Sequence, residues 1–183
     1  MQMASAERVP ASWALWPIDK LIIAYSGIMI CLLAIASRHD PRALLLIVGH
    51  IVAVGVIFLL ARNKSGFMLF LRHWYLLIYL PFLYKQIPYL VSTLGLRIAD
   101  STLAHWDMMM WKIDPVFWLS SVQHRPLVEF LQVVYTMFIP GVLALTTILW
   151  VRKSRQEFRY CAFLIAATFL ISYLGYLFLP ARG

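Results

Sequence analysis

The chain has 183 residues, of which 62% are hydrophobic and 13% charged, with a mean hydropathy of +0.79; these values exclude an ordinary soluble domain and make lipid the solvent. The formal net charge of +8 comes from short basic clusters between apolar runs, the juxtamembrane pattern, so anionic headgroups rather than nucleic acid are the expected partner. Two cysteines, Cys31 and Cys161, form neither a disulfide pattern nor a metal-binding spacing.

Residues 1–20 carry Glu7, Arg8, Pro10, Pro17, Asp19 and Lys20 beside Trp13 and Trp16, which predicts an interfacial entry segment. The first span is expected over Leu21–Ser37. Its Ala34-Ile-Ala36 end resembles a signal-peptidase site, but the run is long for a signal core and another span follows at once, so an uncleaved anchor is the expectation. Arg38-His-Asp-Pro-Arg42 is a tight polar connection with Pro41 suited to a first helical turn. The second span, Ala43–Ala61, holds His50 near its middle, where a neutral imidazole bonded to a neighbouring helix is expected ahead of a proton-handling group. A basic loop, Arg62-Asn-Lys-Ser-Gly66, follows.

The third apolar stretch, Trp74–Val91, contains Pro81, Lys85 and Pro88. Proline removes a backbone donor, so a bend is expected, and Lys85 is expected to snorkel to an interface. Residues 92–127 contain no clear span. Leu103, Trp106, Met110, Ile113 and Phe117 recur at helical spacing, which predicts helices lying along the membrane surface. Asp100 or Ser101 is expected to cap the first, and Asp114-Pro115 and Arg125-Pro126 look like cap positions followed by proline. His105, Asp107, Asp114 and His124 match no recognised metal-ligand motif, so no metal or other cofactor is expected.

The fourth span, Val128–Val151, is expected to have Glu129 in its first turn and a bend at Pro140-Gly141. Arg152-Lys-Ser-Arg155 and Arg159 form the densest basic run. The last apolar run, Ala162–Leu179, would span roughly 27 Å as a helix, close to the hydrocarbon thickness of a bilayer, and Pro180-Ala-Arg-Gly183 follows it. The fold class is therefore all-α: one integral membrane domain over residues 1–183, a polytopic bundle of about five spans with interfacial helices between spans three and four.

Alternating spans place nine basic residues (Arg8, Lys20, Arg62, Lys64, Arg72, Arg152, Lys153, Arg155 and Arg159) on the side of the N-terminus. Six (Arg38, Arg42, Arg97, Lys112, Arg125 and Arg182) fall on the other side with most of the acids. The positive-inside bias makes the N-terminus cytoplasmic and residues 97–127 and the C-terminus external.

Four segments, Phe70-Leu-Arg-His-Trp74, Trp106-Asp107 to Pro115, Leu131-Gln-Val-Val-Tyr135 and Gly175-Tyr-Leu-Phe-Leu-Pro-Ala-Arg-Gly183, together resemble one group. It is the branch of the type 2 phosphatidic acid phosphatase superfamily that includes inositol phosphorylceramide synthase, and the match covers residues 67–183. The resemblance implies a helical bundle with a phosphate pocket at the external membrane face, a phosphohistidine mechanism and a phosphorylated lipid substrate. Of the family's functional residues only Arg182 is matched, as part of the phosphate-binding approach; a Pro-Ser-Gly-His-like motif and a later histidine motif with an aspartate are absent. His50, His73 and His105 lie in no segment matching those motifs. The chain as written is thus expected to be inactive, a truncated portion of a lipid-phosphate phosphatase or phosphotransferase, with a noncatalytic membrane scaffold or transporter-like subunit as the alternative.

Overall fold

The computed structural model describes residues 15–63, 65–113, 115–121, 124–152 and 155–181. Every regular element among them is an α-helix: α1 (Pro17–Ala36), α2 (Arg42–Arg62), α3 (Gly66–Trp74), α4 (Leu76–Thr93), α5 (Asp100–Trp111), α6 (Pro115–Ser121), α7 (Arg125–Val151) and α8 (Arg155–Phe178). Counting α3 and α4 as one, five segments are long and apolar enough to cross a bilayer: Pro17–Ala36, Arg42–Arg62, Gly66–Thr93, Arg125–Val151 and Arg155–Phe178. This is a multi-pass α-helical bundle of the expected class.

The first helix starts earlier than its apolar run. Proline at its first position has no amide hydrogen to leave unsatisfied, and Asp19 Oδ2 accepts the Trp16 backbone N–H at 2.9 Å. The interfacial entry segment expected over residues 1–20 therefore gives way at Pro17 to the first turn of α1; residues 1–14 lie outside the described residues. The third span also begins sooner, at Gly66, where Ser65 Oγ accepts the Met68 N–H at 3.3 Å. The break between α3 and α4 falls at Tyr75, not at a proline; Pro81 and Pro88 both lie inside α4. The helix ends in a Schellman motif: Gly95 takes φ +60°, and the N–H groups of Gly95 and Leu96 bond to Ser92 O and Val91 O.

Helix α1 packs against α2, α4 and α8, while α8 packs against α1, α4 and α7. The buried stripes recur at three and four residues. Ile18, Ile22, Tyr25, Met29 and Leu33 line α1, Leu76, Tyr79, Leu83, Ile87 and Leu90 line α4, and Phe158, Ala162, Ala166 and Leu170 line α8. Alanines at 162 and 166 let α8 approach closely, the usual device where lipid supplies no hydrophobic drive between helices. On α2, Ala43, His50 and Ile57 are buried at intervals of seven, while Leu44, Leu45, Ile51 and Val52 face outward. Lys85 is exposed on α4, outside the bundle interior.

Helices α5 and α6 occupy the region predicted for interfacial helices, and no residue of α5 is buried against protein. The α5 N-cap is Ala99, with Asp100 as first helical residue, so neither Asp100 nor Ser101 is the cap. The N-cap of α7 is His124, which places Arg125 and Pro126 inside the first turn. Glu129 consequently sits one turn further along than expected, where it pairs with Arg125 at 2.9 Å on the exposed surface.

Candidate functional site

Two polar constellations lie within the bundle, at different depths. At one end, Asp19 is fully buried and Arg72 is 8% exposed. Arg72 Nη2 donates to Asp19 Oδ2 at 2.6 Å, and the Tyr75 hydroxyl donates to Oδ1 at 3.1 Å. With the Trp16 amide, the carboxylate thus receives three donors, the condition under which a buried ion is tolerated.

An aromatic and cationic shell surrounds this pair. The Arg72 guanidinium lies 4.1 Å from the Trp16 ring centroid, and that of Arg155 lies 3.4 Å from the Trp150 centroid. His73 packs edge-on against Trp16 and Trp150, at 4.7 and 4.8 Å between centroids. His73 Nδ1–H donates to Leu69 O at 2.6 Å, which fixes the ring. A cleft at this end is lined by Trp16, Arg72, His73, Phe158 and Arg159, among others.

The second constellation lies midway along the spans. His50 is fully buried, with Nδ1 2.9 Å from Tyr79 Oη and Nε2 2.9 Å from Gln86 Oε1. Tyr79 Oη lies 2.8 Å from Ser26 Oγ. Because the Gln86 carbonyl can only accept, His50 Nε2–H is the donor, Tyr79 O–H donates to Nδ1, and Ser26 O–H donates to Tyr79. This neutral imidazole bonded to an adjacent helix meets the expectation for His50. The chain of four ties α1, α2 and α4 together in a region where an unsatisfied polar group is costly.

At the opposite end of the bundle from Asp19, the Ala99 N–H donates to Pro180 O at 2.7 Å. The start of α5 and the segment after α8 are therefore joined, and Pro180 is buried. Arg182, the phosphate-binding residue implied by the family resemblance, lies outside the described residues, as does Asp114. His105 and Asp107 sit on the exposed surface of α5 and are not brought together with His50 or His73. No group of three metal-binding side chains converges among the described residues.

Sequence reasoning missed the pairing of Asp19 with Arg72. The available signal was two opposite charges inside apolar segments that enter the membrane from the same side, an arrangement that demands a partner for each.

Fold and buried polar groups together define a multi-pass α-helical membrane protein with an ion-paired, aromatic-rich mouth. Comparison with protein-family models, curated proteins and solved structures gives no match.

Proposed function

We propose that this chain is the N-terminal portion of a lipid-phosphate phosphatase or phosphotransferase of the type 2 phosphatidic acid phosphatase kind, acting when complete on a phosphorylated lipid at the external membrane face. The observation that carries the reading is the Ala99–Pro180 hydrogen bond. It joins Ala99, seven residues before the Trp106-Asp107 segment of the resemblance, to Pro180, which lies within the last segment of the resemblance, at one end of the bundle. A phosphoryl pocket at headgroup depth needs cations converging there, and exposed Arg97 lies two residues before Ala99, with Arg182 two residues after Pro180. In this reading Arg182 holds phosphate oxygens and the nucleophilic and assisting histidines come from further sequence.

Sequencing of the transcript beyond the Gly183 codon tests this directly. Expected is a continuing frame with a Pro-Ser-Gly-His-like motif and a later histidine motif with an aspartate, whose product releases phosphate from phosphatidic acid in micelles. Arg182→Ala in that product should lower kcat/KM by ~10²-fold or more. A frame without those motifs, or a continued chain inert on lipid phosphates, would reject the reading.

The noncatalytic alternative draws on α7, whose only buried residue is Thr146. Phe130, Val133, Met137 and Phe138 face outward along it, as suits either lipid or the helices of a partner. A scaffold role is the outcome if the continued chain is inert.

A further inference from the structure

The mouth formed by Trp16, α3, the end of α7 and the start of α8 holds more positive charge than its acids neutralise. Asp19 is committed to Arg72. Among the described residues, Arg155 and Arg159 have no carboxylate within ion-pair distance; Glu157, the acid between them on α8, is exposed and forms no pair with either. Separated by four residues, the two arginines share one face of the first turns of α8, and Arg159 Nε–H donates to Arg155 O at 3.3 Å.

Each side chain lies against an indole, Arg155 stacked and Arg159 within cation–π range. The Arg155 guanidinium lies over Trp150, and that of Arg159 lies 5.2 Å from the Trp16 centroid. An aromatic ring at the face of a guanidinium leaves its in-plane N–H groups for a planar or tetrahedral oxyanion, those of Arg159 being its two terminal nitrogens because Nε–H is given to Arg155 O. The two indoles lie at span ends, the depth at which tryptophan meets headgroups. The adjoining cleft has room for about one water, so an anion is held at the rim rather than inside. The helix dipole at the start of α8 adds to the attraction.

We propose that Arg155 and Arg159, lying against Trp150 and Trp16, form a binding site for a phosphate-bearing anion, at the opposite end of the bundle from the Ala99–Pro180 contact. This site is independent of the phosphatase reading, since it uses neither Arg182 nor a catalytic histidine. The same chemistry suits a phospholipid headgroup or a free phosphate.

Native mass spectrometry of the protein in maltoside micelles, titrated with dioleoyl phosphatidic acid, dioleoyl phosphatidylcholine and inorganic phosphate, tests the assignment. Phosphatidic acid is expected to bind more tightly than phosphatidylcholine, and Arg155→Gln with Arg159→Gln to weaken it about 30-fold, near fivefold for each lost cation at a membrane surface. Arg155→Lys with Arg159→Lys should give an intermediate loss, because an ammonium keeps the charge without the fork. If the glutamine pair fails to fold, the lysine pair decides, with unchanged affinity counting against the site. Competition by millimolar phosphate assigns recognition to the anion alone; no competition assigns it to the lipid. Phosphatidylcholine binding as tightly as phosphatidic acid, or a folded glutamine pair within threefold of the parent, would overturn the proposal.

Discussion

Asp19 and Arg72 are 53 positions apart and give up nearly all contact with water to meet each other. Taking two charges out of water costs several kcal/mol each before their attraction is counted. The Trp16 amide and the Tyr75 hydroxyl offset that cost by completing the carboxylate's donors. Removing one partner leaves the other ion buried without its counter-charge, so Asp19→Asn and Arg72→Met should each destabilise the fold by ~3–5 kcal/mol. The double variant Asp19→Leu with Arg72→Met removes both charges and should recover most of the loss. Thermal melting of the four proteins in maltoside micelles gives the cycle; single variants within ~1 kcal/mol of the parent would show that the pair is not coupled.

At the scale of the element, α2, packed chiefly on α1, makes one close approach to α4. A Cβ built on Gly49 would lie 3.0 Å from the Phe82 ring edge, so the absence of a side chain there sets how near α2 comes to α4. That distance allows His50, the next residue, to reach Tyr79 and Gln86. Gly49→Ala should be mild, because the ring can give by a few tenths of an ångström. Gly49→Leu should push the helices apart, at an overpacking cost of ~1–3 kcal/mol and with the His50 bonds lost. Hydrogen exchange across α2 in micelles should then rise in the leucine variant and stay near parental in the alanine variant; equal protection in all three would mean that this contact does not position the helix.

For the whole molecule, five spans put the Asp19 mouth and the Ala99–Pro180 contact at opposite ends of the bundle. The excess of Arg and Lys on the side of the mouth predicts that this end is cytoplasmic. Ser65, at the start of α3, and Ser120, in α6, are both exposed and lie toward opposite ends. Single cysteines at these positions, with Cys31 and Cys161 replaced, should react differently with a membrane-impermeant maleimide on intact cells: position 120 labelled, position 65 protected. The reverse pattern would invert the topology.

The five spans were readable from residue order alone because lipid imposes a simple rule, that a run of about twenty apolar residues must satisfy its backbone within a helix. The same rule erases the contrast that identifies an interior face: α2 is apolar nearly all round, and only packing shows that Ala43, His50 and Ile57 turn inward while Leu45 and Ile51 do not. Helix starts at Pro17, Gly66 and Arg125 were missed by up to eight residues, since polar first turns with local caps are continuous with the apolar runs they precede. His50 was recognisable as a group needing a partner, but the identity of Tyr79 and Gln86 depended on how α2 and α4 pack. Asp19 read as an interfacial acid and Arg72 as a juxtamembrane base. Only the tertiary structure joined them, because ion pairing is decided by distance in space, and a separation of 53 positions along the chain carries no record of it.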